Sequence, residues 1–339
     1  MLQNNMSSGF LESSLKKNDP VVETPLRPQT LIDFVGQENV RKKLEIVLTG
    51  AKSRNEALGH CLLSGPPGLG KTTLAHIVAK AMSSSLVVTS GPALEKAGDL
   101  AGLLTNLQKG DVLFIDEIHR LSKVAEEYLY PAMEDYVLDL MIDTGPNARS
   151  VKITLNRFTL IGATTRSGLL SGPMRSRFPL TLRLDYYEPP DLQTILMRSA
   201  RLLQMKIDPD AALLIAQRAR GTPRIANNLL LWIRDFACAR NVTLLGFDIT
   251  KEALEMLAID EKGLEEMDKK ILTVMIDHHG GGPVGLKTLA AAVGEEPDTL
   301  EEVYEPYLIL QGFVKRTPRG RQATTLAYQH MKGDHSCGI

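Results

Sequence analysis

Between residues 60 and 82 the chain reads HCLLSGPPGLGKTTLAHIVAKAM. Gly65, Gly70, Lys71 and Thr72 fill the formula G-x-x-x-x-G-K-[ST]. An apolar strand precedes it, and Leu74, Ile77, Val78 and Ala81 follow at helical spacing. Residues of these types in this order can wrap the phosphates of a nucleotide. Glycines let the backbone close around the anion, and the helix N-terminus supplies N–H groups and the positive end of a dipole. Lys71 would reach the β- and γ-phosphates, and the Thr72 hydroxyl would bind Mg²⁺.

A second stretch, DVLFIDEIH (111–119), adds the means to hydrolyse what the first binds. Four apolar residues, the signature of a buried strand, end in Asp116 and Glu117. Asp116 can hold Mg²⁺ through its waters, and Glu117 can orient and deprotonate an attacking water. The bland alternative makes Asp116 a helix cap and Glu117 a solvated side chain, which is weak this soon after a P-loop lysine. A third strand, RFTLIGATTR (157–166), ends in Thr164 and Thr165, where a hydroxyl could meet the γ-phosphate or the lytic water. Taken alone, a β-branched residue at a strand end is structural. GPMRSRF (172–178) places Arg175 and Arg177 before another apolar strand. In RARGTPRIANNLLLWIRDFA (218–237), Pro223 opens a helix and puts Arg224 near its N-terminus. A cation there opposes the dipole, so an anionic partner explains it better than stability does.

The elements that must position these residues belong to an ordinary core-forming chain. Its 339 residues suggest two or three domains, with 43% hydrophobic and 23% charged residues. A net charge of −1 argues against a general polyanion binder but not against a local one. No apolar run approaches the ~20 residues that span a bilayer. The N-terminus lacks the basic and apolar regions of a signal peptide, and its first ~20 residues are polar enough to be a disordered lead-in. Cys61, Cys238 and Cys337 are odd in number and far apart, which fits a reducing cytoplasm. Cys61 lies in an apolar run as a small core residue. His330, His335 and Cys337 lack a fourth ligand and make a poor zinc site.

Together these pieces resemble the AAA+ ATPases and, more closely, the RuvB family of Holliday-junction branch-migration motors. The resemblance runs from about Leu26 to Tyr328 through LRPQTLIDFVGQ, GPPGLGKTTLA, LEKAGDLAGLLTNL, LFIDEIHRLS, EDY, IGATTR, RARGTPRIANN, GGPVGL and GFVKRTPRGR. It implies ATP and Mg²⁺ as cofactors, with Leu26 and Arg27 beside the base and Gly68, Lys71, Thr72 and Thr73 on the phosphates and metal. Thr165 takes the sensor 1 position and Arg224 the sensor 2 position. Arg177 becomes an arginine finger delivered to a neighbour's γ-phosphate, which leaves Arg175 to a structural ion pair. Glu134, Asp135, Tyr136 and Tyr187 match other nucleotide-proximal positions. The resemblance further implies a homohexameric ring around double-stranded DNA at Holliday junctions, paired with RuvA, with the resolvase RuvC as a further partner and no membrane. The chain departs from the family pattern at Pro179, where Gly is usual, and at Asn228, Leu231 and Trp232, which replace basic residues.

Three domains are expected: an α/β P-loop domain over 1–184, a small helical lid over 185–257, and a winged helix over 258–339. The third helix of the last domain carries Asp298, Glu301, Glu302 and Glu305 and no cation, so phosphates repel it. The basic segment KRTPRGR (315–321) then reads as a wing whose Arg316 and Arg321 track phosphates without reading sequence, around a Pro318–Arg319–Gly320 turn. In EDYVLDLMIDTGPNARSVKITL (134–155), Leu138, Leu140 and Ile142 share one face by period-2 alternation. They either complete the ATPase core or, as the resemblance implies, form an exposed hairpin that docks on RuvA. A clamp-loader-like switch and a protein-remodelling ATPase are the rival readings; the winged helix speaks against the first and the polyanion-suited wing against the second.

Overall fold

The computed structural model describes Phe10 and residues 25–141 and 150–333. Two compact units divide the chain after Tyr187. The first is built on five parallel strands: β1 (Cys61–Ser64), β2 (Leu86–Ser90), β3 (Val112–Asp116), β6 (Thr159–Thr164) and β7 (Leu180–Arg183). Their order across the sheet is β2-β3-β6-β1-β7. Between β3 and β6 the chain inserts an antiparallel hairpin, β4 (Val137–Met141) with β5 (Ser150–Thr154).

Strands β1 and β6 are buried along their whole length, and β3 is buried up to Asp116. A parallel strand covered by helices on both faces needs this continuous apolar run instead of alternation. The helices of this unit are α1 (Glu38–Arg54), α2 (Lys71–Ala81), α3 (Ala97–Thr105), α4 (Lys123–Glu134) and the short α5 (Gly172–Ser176). In α1, Val40, Leu44 and Leu48 recur every fourth residue and face inward. Phe114, Phe158 and Leu100 are among the fully buried side chains, each contributing about 1.5–3 kcal/mol through removal from water. This sheet brings the C-terminal ends of β1, β3 and β6 side by side, where ligands bind in such folds.

The second unit begins with four helices, α6 (Pro189–Leu202), α7 (Pro209–Arg218), α8 (Pro223–Ala239) and α9 (Phe247–Met256). The first three carry proline in the first turn, where a missing N–H costs nothing. A two-residue parallel pair, β8 (Lys206–Ile207) with β9 (Leu244–Leu245), ties their connections together. The winged helix follows: α10 (Glu266–Thr273), α11 (Leu286–Val293) and a third helix running from Pro297 through a π-turn at Leu300–Tyr304 to Glu305–Leu310. The hairpin of β10 (Val314–Thr317) and β11 (Gly320–Ala323) completes it, with Tyr304, Phe313 and Leu308 in its core.

Helical lid and winged helix are joined by a buried ion pair. Arg220 bonds Asp268 through its Nη2, donates from Nε to the Gly263 carbonyl at 2.8 Å, and lies over the Tyr307 ring. Removing one partner of such a pair typically costs ~3–5 kcal/mol, because the other charge stays buried.

The expected disordered lead-in falls, Phe10 apart, outside the described residues. Phe10 meets Trp232 edge-on at 6.3 Å, and Trp232 Nε1 donates to the Ala253 carbonyl at 3.0 Å. Cys61 is buried, and burial pushes its thiol up to about 12. His330 bonds Asp260 at 2.9 Å; His335 and Cys337 lie outside the described residues. Among the described residues no helix is long and apolar enough to cross a membrane.

Candidate functional site

The loop after β1 turns on glycine. Gly65 sits at φ 140°, and a Cβ there would stand 2.3 Å from the Leu184 carbonyl, so no other residue fits. Gly68 also adopts positive φ. Lys71 opens helix α2, with Thr72 and Thr73 in its first turn. Its ammonium folds over the loop, donating to the Gly65 and Pro66 carbonyls at 2.8 and 2.9 Å. The Lys71 cation is therefore held over the loop.

Neighbouring residues brace this loop. Leu26 is buried, Arg27 reaches His76 of α2 at 3.2 Å, and the Tyr187 hydroxyl donates to the Leu69 carbonyl at 3.3 Å. Burial, then the Arg27 cation, lowers the pKa of His76.

The acidic pair stands at the end of β3. Glu117 has left-handed backbone (φ 47°), a strained conformation for a side chain of this size, and its N–H donates to Asp116 Oδ1 at 3.0 Å. The Thr165 hydroxyl donates to Glu117 Oε2 at 3.2 Å. His119, which sequence reasoning missed, puts Nδ1 3.3 Å from the same oxygen and 2.9 Å from Thr164 Oγ1. Burial, followed by the Arg166 and Arg120 cations, holds the His119 imidazole below its ordinary pKa. Its position two residues after Glu117, opposite the Thr164–Thr165 strand end, was the available signal.

Among the described residues no cluster of three or more His, Cys, Asp or Glu side chains could hold a metal. The Thr72 hydroxyl and Asp116 carboxylate instead fit the sparse oxygen set of Mg²⁺, which is held by one or two protein groups plus phosphates and water.

Arg177 forms a separate cluster just past α5. It contacts Glu134 at 3.1 Å, donates to the Pro173 carbonyl at 2.7 Å, and stacks over the Tyr130 ring at 4.3 Å. Glu134 is thus Arg177's partner. Asp135 caps the end of α4, while Tyr136 packs against His60 and Phe158 beneath Arg157. Arg175 was expected to form an ion pair; it is exposed and makes none among the described residues. Arg224 lies in the first turn of α8, as its spacing after Pro223 required.

The inserted hairpin corrects one expectation. Leu138 is 0% exposed and belongs to the main core, opposite Ile153, so it cannot be a docking residue. Further out, Leu140 pairs with Val151, which is 41% exposed. Ile142 lies outside the described residues.

The wing requires a second correction. Arg316 and Arg321 are not loose cations on a basic tip: both are ion-paired with Glu305 and Glu301 of the helix that was expected only to repel phosphates. The exposed cations of the segment are Lys315, Arg319 and the half-exposed Arg316. Thr317 pairs with Gly320, so the turn consists of Pro318 and Arg319 alone. Gly320 belongs to the strand, and a Cβ on it would stand 2.4 Å from the Val284 carbonyl. That close approach admits the Val284–Arg321 bridge.

Fold and site define a P-loop nucleotide-binding domain followed by a helical AAA lid and a winged helix. Residues 26–184 match the family described as the Holliday junction DNA helicase RuvB P-loop domain. Residues 187–260 match the RuvB AAA lid domain, and 261–332 the RuvB C-terminal winged helix domain. The chain belongs to the RuvB family. It is 63% identical over 328 residues to the Holliday junction branch migration complex subunit RuvB of Protochlamydia amoebophila, covering 97% of this chain and 99% of that one. The corresponding subunit of Chlamydia pneumoniae is 57% identical over 314 residues, 93% of each chain. Among solved structures, the Thermotoga maritima RuvB Holliday junction branch migration motor superposes with a TM-score of 0.83 at 52% identity, covering 91% of this chain and 98% of that one.

Proposed function

We propose that the chain is an ATP-hydrolysing motor subunit which, as a homohexameric ring on double-stranded DNA, drives branch migration at Holliday junctions with RuvA. RuvC is a further partner at the junction, and the work is cytoplasmic. The working domains are 1–184, 185–257 and 258–339. The observation that carries this reading is the convergence of Lys71, Asp116, Glu117 and Thr165 on one sheet edge, in a chain related over nearly its whole length to branch-migration subunits.

Lys71 turns from the loop carbonyls to the β- and γ-phosphates of ATP, and Arg224 holds the family's sensor 2 position. Thr72 and Asp116 would hold Mg²⁺, which supplies charge neutralisation on the phosphates. Glu117 orients a water towards the γ-phosphorus and takes its proton as the bond to the β-phosphate oxygen breaks. Thr165, already bonded to Glu117, fixes where that carboxylate points. Arg177, delivered from the adjacent subunit, stabilises the charge on the transferring phosphoryl group, worth about 10³-fold or more in related P-loop enzymes.

The test is a synthetic four-way junction with ATP and Mg²⁺, with and without RuvA. RuvA-stimulated strand separation that needs hydrolysable ATP is the expected result. ATPase activity without any migration would return the reading to the clamp-loader-like or protein-remodelling alternative.

A further inference from the structure

Arg316 and Arg321 face each other directly across the wing hairpin. Like charges opposite one another on an antiparallel pair are destabilising. Here a single carboxylate resolves the conflict. Arg316 donates from Nε to Glu305 Oε1 at 3.0 Å and from Nη2 to Oε2 at 2.8 Å. Arg321 repeats the same fork, at 2.9 Å to Oε1 and 3.2 Å to Oε2. All of the roughly four lone-pair sites of one carboxylate are therefore taken by two guanidiniums. The Glu305 side chain is only 2% exposed, whereas Arg321 is 16% and Arg316 51% exposed. Glu301 adds looser contacts, 3.3 Å to Arg316 and 3.5 Å to Arg321.

A guanidinium has five N–H donors on a rigid fork. Glu305 occupies the Nε/Nη2 edge of both, and neither Nη1 has a partner among the described residues. The same clamp that neutralises the pair fixes which edge of each guanidinium is left uncommitted.

We propose that Glu305 is the positioning residue of the wing: a buried carboxylate that holds two opposed arginines by one edge and presents their other edges to the phosphate backbone of duplex DNA. This rests on the reading that the wing contacts DNA. It makes a prediction opposite in sign to simple charge counting. Near a polyanion, loss of an acid strengthens binding; loss of Glu305 weakens it, because unaimed arginines no longer reach their phosphates.

The experiment measures affinity of the full chain for a labelled mixed-sequence duplex across a salt series, with Mg²⁺ and a slowly hydrolysed ATP analogue. Glu305→Gln removes the charge; Glu305→Asp keeps it but shortens its reach. Both are expected to lower affinity about tenfold and to flatten the slope of log affinity against log salt by about 0.9 for each phosphate no longer gripped. The slope separates aiming from folding: a partly unfolded variant binds less, but its folded fraction keeps the parent slope. Glu301→Gln, at a partly exposed and looser position, should leave the slope intact and tighten binding by up to about threefold. Tighter binding by Glu305→Gln, or an unchanged slope in Glu305→Asp, overturns the proposal, as does a loss in Glu301→Gln equal to that at Glu305. The double variant Arg316→Ala/Arg321→Ala distinguishes the layers. If it leaves affinity and slope unchanged, the DNA-binding reading of the wing falls, and this inference with it. If it weakens binding while the Glu305 variants do not, only the positioning role falls.

Discussion

The Thr165 hydroxyl donates to the Glu117 carboxylate at 3.2 Å although 48 residues separate the two in the chain. Strand β6 beside β3 makes the contact, since the two run parallel and in register from Val112↔Thr159 onward. One sheet thus sets the positions of both Thr165 and Glu117.

Replacing the Glu117 carboxylate without changing its shape tests whether it acts as the base. Glu117→Gln should retain ATP binding and lose hydrolysis by about 10²-fold or more, and Lys71→Ala should lose both binding and turnover. Steady-state ATPase and nucleotide-binding titrations check this. Near-normal turnover in Glu117→Gln would remove the residue from the mechanism.

Arg177 stacks on Tyr130 and pairs with Glu134, within its own subunit. If its guanidinium acts on the neighbour's ATP, Arg177→Ala should keep its own site competent while silencing the adjacent one. Mixing it with Lys71→Ala protein should then recover part of the ATPase activity, because some interfaces join an intact site to an intact finger. Mixed rings that form but stay inactive at every ratio would exclude action across the boundary.

Much of this was legible from sequence because it is local. The P-loop residues, the acids ending β3 and the proline-led start of α8 lie within short runs whose pattern dictates both element and position. What escaped was set by tertiary packing. Glu305 and Arg316 read as an acidic helix and a basic turn, and only the packing of hairpin against helix turns repulsion into a clamp. Likewise His119 looks like a loop residue until Thr164 arrives from β6. Period-2 alternation placed Leu138 on the face of Leu140 and Ile142, but alternation cannot say how far along a hairpin the core extends.

That boundary is testable. Leu138→Asp puts an unpaired carboxylate into the core and should destabilise the protein by more than about 3 kcal/mol, read by denaturant unfolding. Leu140→Asp and Ile142→Asp, further along the sequence, should fold and keep basal ATPase yet lose RuvA-dependent loading onto junctions. Misfolding of these two variants would assign the whole segment to the core.

His60 offers a pH prediction with a definite sign. It is buried between two backbone groups: Nδ1 accepts from the Leu160 N–H at 2.9 Å, and Nε2 meets the Met133 carbonyl at 3.0 Å. This pairing requires the neutral ring with its proton on Nε2. Burial lowers the pKa from 6.5, outweighing the opposing effect of the Met133 bond. A histidine whose folded pKa is depressed binds fewer protons folded than unfolded, so stability rises with pH across the window between the two values. Stability is therefore full above about 6.5 and is lost as pH falls through the lowered folded value, at about 1.4 kcal/mol for each unit of separation. His76 and His119, also lowered, add in the same direction. Chemical denaturation between pH 5 and 8 should show this slope, and His60→Gln, which cannot take up the proton, should make it shallower. An equal slope in the variant would mean that the acid sensitivity originates elsewhere.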